Sequence, residues 1–135
     1  MNDLAYLDHF LNLPLPFDRE RAARGCDDWI ALEADLRTRQ PKVANFVRQL
    51  GKSPKGLAIL DAGFGNSPFL GRLLLGEPEF LRRFFTEGPD RAMAGILADV
   101  AAAAGAAKTA DDLMRPLRLA KRRAALGIAL ADLGQ

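Results

Sequence analysis

The sequence predicts an all-α chain: a compact array of short, proline-started helices closed by a longer C-terminal helix. Three observations predict it. Apolar residues recur at steps of three and four in segment after segment, and convincing alternation is absent. Cap-type residues and glycines stand just before prolines, as at Ser67-Pro68 and Gly88-Pro89, which is how one helix stops and the next begins. The stretch Thr109 to Gly134 consists mainly of Leu, Ala, Arg and Lys, all good helix formers.

In chain order, Leu4, Leu7, Phe10 and Leu11 lie at helical spacing, and Pro14 and Pro16 stop that first short helix. Asp18 caps a run through Arg24, with Gly25 as its stop. Asp27 or Asp28 opens the next run, carried by Trp29, Ile30, Leu32, Glu33 and Leu36 and ended by Pro41. Trp29 reads as a core anchor, because no basic and aromatic residues interleave around it to suggest a stacking surface. Val43, Phe46, Val47 and Leu50 mark another helix, ended by Gly51. Leu57, Ile59 and Leu60 alternate poorly, so a helix beginning at Ser53 is favoured over a strand. Ser67-Pro68 starts a helix lined by Phe69, Leu70, Leu73 and Leu74. Pro78 starts one with Phe80, Leu81, Phe84 and Phe85 inside. Pro89 starts one carrying Met93, Ile96, Leu97 and Val100 and thinning into alanines near Ala107. Connections of two to four residues between them fit an antiparallel array.

The last helix opens with Thr109 and Asp112, a capping-box pair with Asp in place of the usual Glu or Gln. Leu113, Leu117, Ala120, Ala124, Ile128 and Ala131 share one face; Leu119, Leu126, Leu130 and Leu133 form a second apolar row. Pro116 predicts a kink near Arg115, or a short helix handing over to a second. Beyond Ala124 the helix is apolar nearly all round, with Asp132 its only charge, and such a helix expects protein on most sides. The expectation is an opening part of a longer polypeptide, its last helix packing on something outside these residues.

Composition sets the bounds. The 135 residues suit one domain, and the formal charge of +2 gives no general argument for nucleic acid or membrane. Cys26 and His9 are each the sole residue of their type, which removes intrachain disulfides and most metal and acid–base constellations. A start without a basic region and apolar run, and no stretch long enough to span a bilayer, predict a cytoplasmic, reducing setting.

Three stretches could carry chemistry. Gly63-Phe64-Gly65-Asn66-Ser67 feeds a helix start, but without a following Lys-Ser/Thr it reads as a turn and cap rather than a phosphate cradle. Arg115, Arg118, Lys121, Arg122 and Arg123 form a basic collar around the last helix, read as structural or intramolecular. The adjacent pairs Asp27/Asp28 and Asp111/Asp112 sit at expected helix starts, where the macrodipole favours them. Asp132 is expected to pair with a basic group. No catalytic, cofactor or metal residue emerges. The candidate interaction surface is Arg118, Lys121, Arg122, Arg123, Leu126, Leu130, Asp132 and Leu133.

Two stretches together carry a resemblance. LDAGFGNSPFLGRLLLGEPEFLRRFFTEGPDRAM and LMRPLRLAKRRAALGIALADLG resemble the N-terminal region of the glutamine synthetase adenylyltransferase family. Ser67, Phe69, Leu70 and Pro78 match one family pattern. Leu117, Arg118, Lys121, Arg122, Ile128, Ala129, Asp132 and Leu133 match the other. The likeness runs from about Leu57 to Gly134, so residues 53–135 are the family-like part and residues 1–52 variable N-terminal helices.

The resemblance implies a parent enzyme that attaches AMP to glutamine synthetase and removes it. That parent would use ATP and magnesium through Ser-Asp-x-Asp segments, none of which maps onto a residue here. It also implies glutamine synthetase, a nitrogen-signalling regulatory protein and the remainder of the enzyme as partners, with self-association through the last helix when the chain is alone. Membrane is excluded and nucleic acid disfavoured. The alternative is a free-standing helical module whose basic helix docks an acidic protein or nucleic acid.

Overall fold

The computed structural model describes residues 4–134; Met1–Asp3, part of the start read above for a leader, and Gln135 lie outside it. A short 3-10 helix, Ala5–His9, precedes seven α-helices: α1 (Arg19–Arg39), α2 (Pro41–Lys52), α3 (Pro54–Asn66), α4 (Pro68–Gly76), α5 (Pro78–Glu87), α6 (Pro89–Ala106) and α7 (Asp111–Leu133). Among the described residues there is no strand, so the fold is all-α.

Five consecutive helices, α2 to α6, begin with proline, two more than the sequence reading singled out. The corners between them are tighter than expected. Gln40, Ser53, Ser67, Glu77 and Gly88 each stand alone between two helices. The physical reason is the proline itself: its ring drives the preceding residue out of the helical region, so one residue makes the corner. Ser53 and Ser67 take extended conformations, and their hydroxyls accept from the Gly56 and Leu70 amides at 3.2 and 3.1 Å. Such caps are each worth about 1 kcal/mol. Gly88 turns its corner at φ +92°, a conformation that penalises any side chain.

Packing is antiparallel where pairs can be traced. Along α1 and α2, Trp29 lies against Gly51 and donates its Nε1 hydrogen to Val47 O at 2.8 Å, while Glu33, one turn further along α1, meets Arg48, one turn back along α2 from Gly51. Along α1 and α3, Gly25 meets Phe64 and the Cys26 thiol donates to Asp61 at 3.3 Å. Burial and that contact hold the Cys26 pKa up at about 12, so the thiol is unreactive. Along α6 and α7, Met93 lies against Gly127 and Asp99 faces Arg123. The core gathers Leu7, Phe10, Trp29, Phe46, Leu50, Ile59, Leu60, Leu74, Phe80, Leu81, Phe84, Phe85, Leu126 and Leu130.

Several local expectations need correction. Gly25 does not stop a helix. It is buried inside a continuous α1, where a Cβ would stand 2.2 Å from the Phe64 ring, so glycine is there for close helix contact. Asp27 and Asp28 therefore sit mid-helix and exposed. Gly63 to Asn66 is no turn but the last turn of α3, with Gly63 packed under Leu74 and Gly65 under Pro16. Phe69 and Leu97, which mark helical spacing in the sequence, do not enter the core and are 53% and 71% exposed. Helix α7 runs unbroken through Pro116, so no second helix takes over there; one lost backbone bond near the helix start is tolerable in a helix held by packing. Its opening is as read: the Asp112 carboxylate accepts from the Lys108 and Thr109 amides, while the Asp112 amide donates to the Thr109 hydroxyl. Those backbone bonds hold the Asp112 carboxyl below its ordinary range.

Gly25→Ala sets helix propensity, which favours alanine by about 1 kcal/mol, against a clash that forces α1 from α3. The clash wins: urea denaturation is expected to show a loss of about 2–3 kcal/mol.

Candidate interaction surface

The position of α7 is set by one acid at a corner. Glu77, the single residue between α4 and α5, has its side chain only 7% exposed. It accepts from Arg123 Nε at 2.9 Å, and Arg122 Nη2 lies 3.7 Å from its other oxygen. Arg122 reaches it over Gly76, where a Cβ would stand 2.6 Å from the guanidinium. Arg123 also faces Asp99 of α6 at 3.8 Å, and Asp99 faces Arg83 of α5 at the same distance. Three helices, α5, α6 and α7, thus meet the α4–α5 corner in one ionic network. Breaking it from one side would strand a shielded charge.

This network absorbs two of the five collar residues. Arg122 and Arg123 are intramolecular staples, whereas Arg118 and Lys121 stay exposed and make no ion pair among the described residues. Leu126 and Leu130 need correction as surface residues. Both are fully buried inside this chain, because the Glu77 staple presses that face of α7 onto the core. Gly127 between them lets Met93 and Phe80 approach to 3.2 and 3.4 Å of where a Cβ would be. Leu133 is half-buried and Asp132 exposed.

What α7 leaves outside is part of its other apolar face, since Ala120 and Ala124 of that row pack against the core. Met114, Leu117 and Ile128 are exposed, Ile128 by 58%, with Arg118 and Lys121 beside them. Near the C-terminal end of α7 lies an open groove of about 690 Å³, lined by Leu13, Pro14, Phe69, Leu70, Asp132 and Leu133 among others. Asp132 is the groove's sole charged side chain.

One wall of the groove comes from the stretch before α1, whose role the sequence reading missed. Asn66 at the end of α3 grips that stretch from two sides: its Oδ1 accepts from the Phe17 amide at 2.8 Å, and its Nδ2 donates to Leu15 O at 3.0 Å. Arg21 adds bonds to Phe64 O and Gly65 O. The stretch is therefore fixed while Leu11, Leu15 and Phe17 face solvent, Phe17 by 92%. The available signal was Leu-Asn-Leu-Pro-Leu-Pro-Phe itself, an alternating segment whose prolines forbid a helix.

Among the described residues no three His, Cys, Asp or Glu side chains cluster to hold a metal ion. Gly63 and Gly65, the one phosphate-cradle candidate, have their open space filled by Leu74 and Pro16.

The class defined by the fold is that of small all-α bundles, here with apolar surface on the last helix. The particular family follows from similarity. The chain is 36% identical over 121 residues to the bifunctional glutamine synthetase adenylyltransferase/adenylyl-removing enzyme of Brucella suis biovar 1, covering 89% of this chain and 12% of that protein. It is 34% identical over 122 residues to the protein of that name in Rhodopseudomonas palustris CGA009, covering 90% and 12%. It is 39% identical over 85 residues to the one from Xanthobacter autotrophicus, covering 63% and 8%. The chain is a homologue of the N-terminal part of this enzyme family, and it spans about 12% of the length of the first two relatives. At 89% coverage the similarity includes much of residues 1–52. No protein-family model matches the chain, and no solved structure does.

Glu77→Ala and Arg123→Ala are each expected to destabilise by about 1–3 kcal/mol. A double-mutant cycle on urea midpoints should return a coupling of about 1–2 kcal/mol; additivity would mean the staple carries no weight.

Proposed function

We propose that this chain is a non-catalytic helical element of a glutamine synthetase adenylyltransferase system, and that the outer face of α7 with its adjoining groove seats against the catalytic part of such an enzyme. The observation that carries the reading is the exposed row Met114, Leu117 and Ile128 on a helix whose opposite row is locked into the core. A helix fixed on one side and apolar on the other is a preformed docking edge, with little ordering cost on binding. Similarity to the N-terminal part of the enzymes supports it. The adenylylation and deadenylylation of glutamine synthetase, with ATP and magnesium, belong in this reading to the partner domain, as do contacts with glutamine synthetase and a nitrogen-signalling protein. The role of this chain is to hold that domain in place. The setting is the cytoplasm; no described helix is long and apolar enough to cross a membrane.

A chimera tests this: the Brucella suis relative with its matching segment replaced by this chain. It should remove AMP from adenylylated glutamine synthetase, and Leu117→Glu with Ile128→Glu should lower that rate about tenfold or more, as lost docking of two apolar anchors predicts. A chimera indifferent to the double change overturns the reading.

The isolated chain should cover the same stripe with a second copy. Light scattering is expected to give a concentration-dependent dimer that Ile128→Glu returns to monomer. A wild-type monomer that also fails to bind an apolar dye removes the stripe from consideration as a docking edge.

A further inference from the structure

A second surface lies between α1 and α2, on residues the docking edge does not use. There the two helices leave a cleft of about 350 Å³, lined by Trp29, Ile30, Glu33, Arg37, Val47, Arg48, Gly51 and Lys52. Its floor is apolar. Gly51 has no side chain to cover it, so the edge of the Trp29 indole lies 3.3 Å from where a Cβ would stand. Ile30 borders the floor and is largely exposed.

The rim is cationic. Arg37, Arg48 and Lys52 surround one acid, Glu33, whose side chain is 7% exposed. Arg37 saturates that acid, donating Nε to both carboxylate oxygens at 3.1 and 3.0 Å and Nη2 to Oε2 at 2.7 Å. Arg48 stands 3.6 Å from Oε1 and donates to Asn45 on its own helix. Lys52 makes no ion pair among the described residues. The nearby Asp35 is taken up by Arg39. The cleft therefore carries three positive side chains against one negative.

We propose that this cleft docks an acidic peptide segment, with one apolar side chain against exposed Ile30 beside Gly51 and flanking carboxylates on Arg48 and Lys52. Charge complementarity selects the occupant. A buried acid already neutralised by Arg37 fixes Arg37 and Arg48 on the cleft wall, and their remaining N–H groups match carboxylates in fork geometry. Exposed Ile30 distinguishes this occupant from nucleic acid, because a phosphate backbone leaves that side chain uncovered and the indole face is not open for stacking.

The test uses the full chain and its single tryptophan. The probe is a labelled helical peptide of about twelve residues, Glu throughout except for two Leu spaced four apart, the i,i+4 spacing that puts both on one face. Titration should change Trp29 emission and give a saturable affinity that falls about tenfold or more as salt rises from about 50 to about 200 mM. Lys52→Glu with Arg48→Gln should weaken binding at least about tenfold, a loss of about 1.4 kcal/mol, with the thermal melt retained. Ile30→Ser should weaken it less. Arg37 is left untouched because it satisfies Glu33. The proposal is overturned if the all-Lys analogue binds as well, if replacing both probe leucines by serine changes nothing, if duplex DNA binds more tightly, or if the Lys52/Arg48 variant binds as wild type does.

Discussion

Phe85 stands where the two halves of the molecule meet. Its ring lies 5.6 Å from Phe10 of the N-terminal stretch, 6.2 Å from Phe46 of α2 and 5.3 Å from Phe84. Phe84 in turn takes the edge of Tyr6 at 5.6 Å and meets Phe80 at 6.4 Å. Helix α5 is only ten residues long, yet it buries Phe80, Leu81, Phe84 and Phe85. Burying one such side chain is worth about 1.5–3 kcal/mol, so this short helix carries far more of the core than its length suggests. The α1–α3 layer and the α6–α7 pair both depend on it, the first through Phe46 and the second through Phe80 against Gly127.

That arrangement forces the corners to be short. A ten-residue helix at the centre can reach its neighbours only if the chain turns at once, and proline at each helix start achieves this with one residue. The corner residue is then free for another task. At Ser53 and Ser67 it caps; at Gly88 it supplies a left-handed turn; at Glu77 it holds α7. Glu77 caps no amide of its own helix, because its carboxylate is spent on Arg123 and Arg122. The ionic network thereby chooses which row of α7 enters the core and which remains for a partner.

Much of this was legible beforehand, and the failures share a cause. Periodicity and proline placement give α4, α5 and α6 nearly to the residue, because those signals are local. The glycines misled. Gly25, Gly63 and Gly65 look like stops, but each sits inside a helix where another element comes too close for a Cβ. Nothing within a window of ten residues distinguishes a stop from a close contact, since the decisive neighbours, Phe64, Leu74 and Pro16, belong to other elements. The same holds for α7. Two apolar rows are visible in its sequence, yet which of them faces the core depends on Glu77, some 46 positions away from Arg123. The strap from Leu11 to Phe17 was passed over because its hold on the fold is Asn66, about fifty residues on.

The amino-acid order alone therefore determined the fold class, the starts of α4 to α6, the capping of α7 and the kinship with the adenylyltransferase family, since each depends on near neighbours or on residue identity. Tertiary structure alone decided that Leu126 and Leu130 are core, that Ile128, Leu117 and Phe69 are surface, that Arg122 and Arg123 are staples, and that three cations gather beside exposed Ile30 in a cleft between α1 and α2. Those outcomes follow from which surfaces meet when helices pack, and helical periodicity, blind to partners, leaves that choice open.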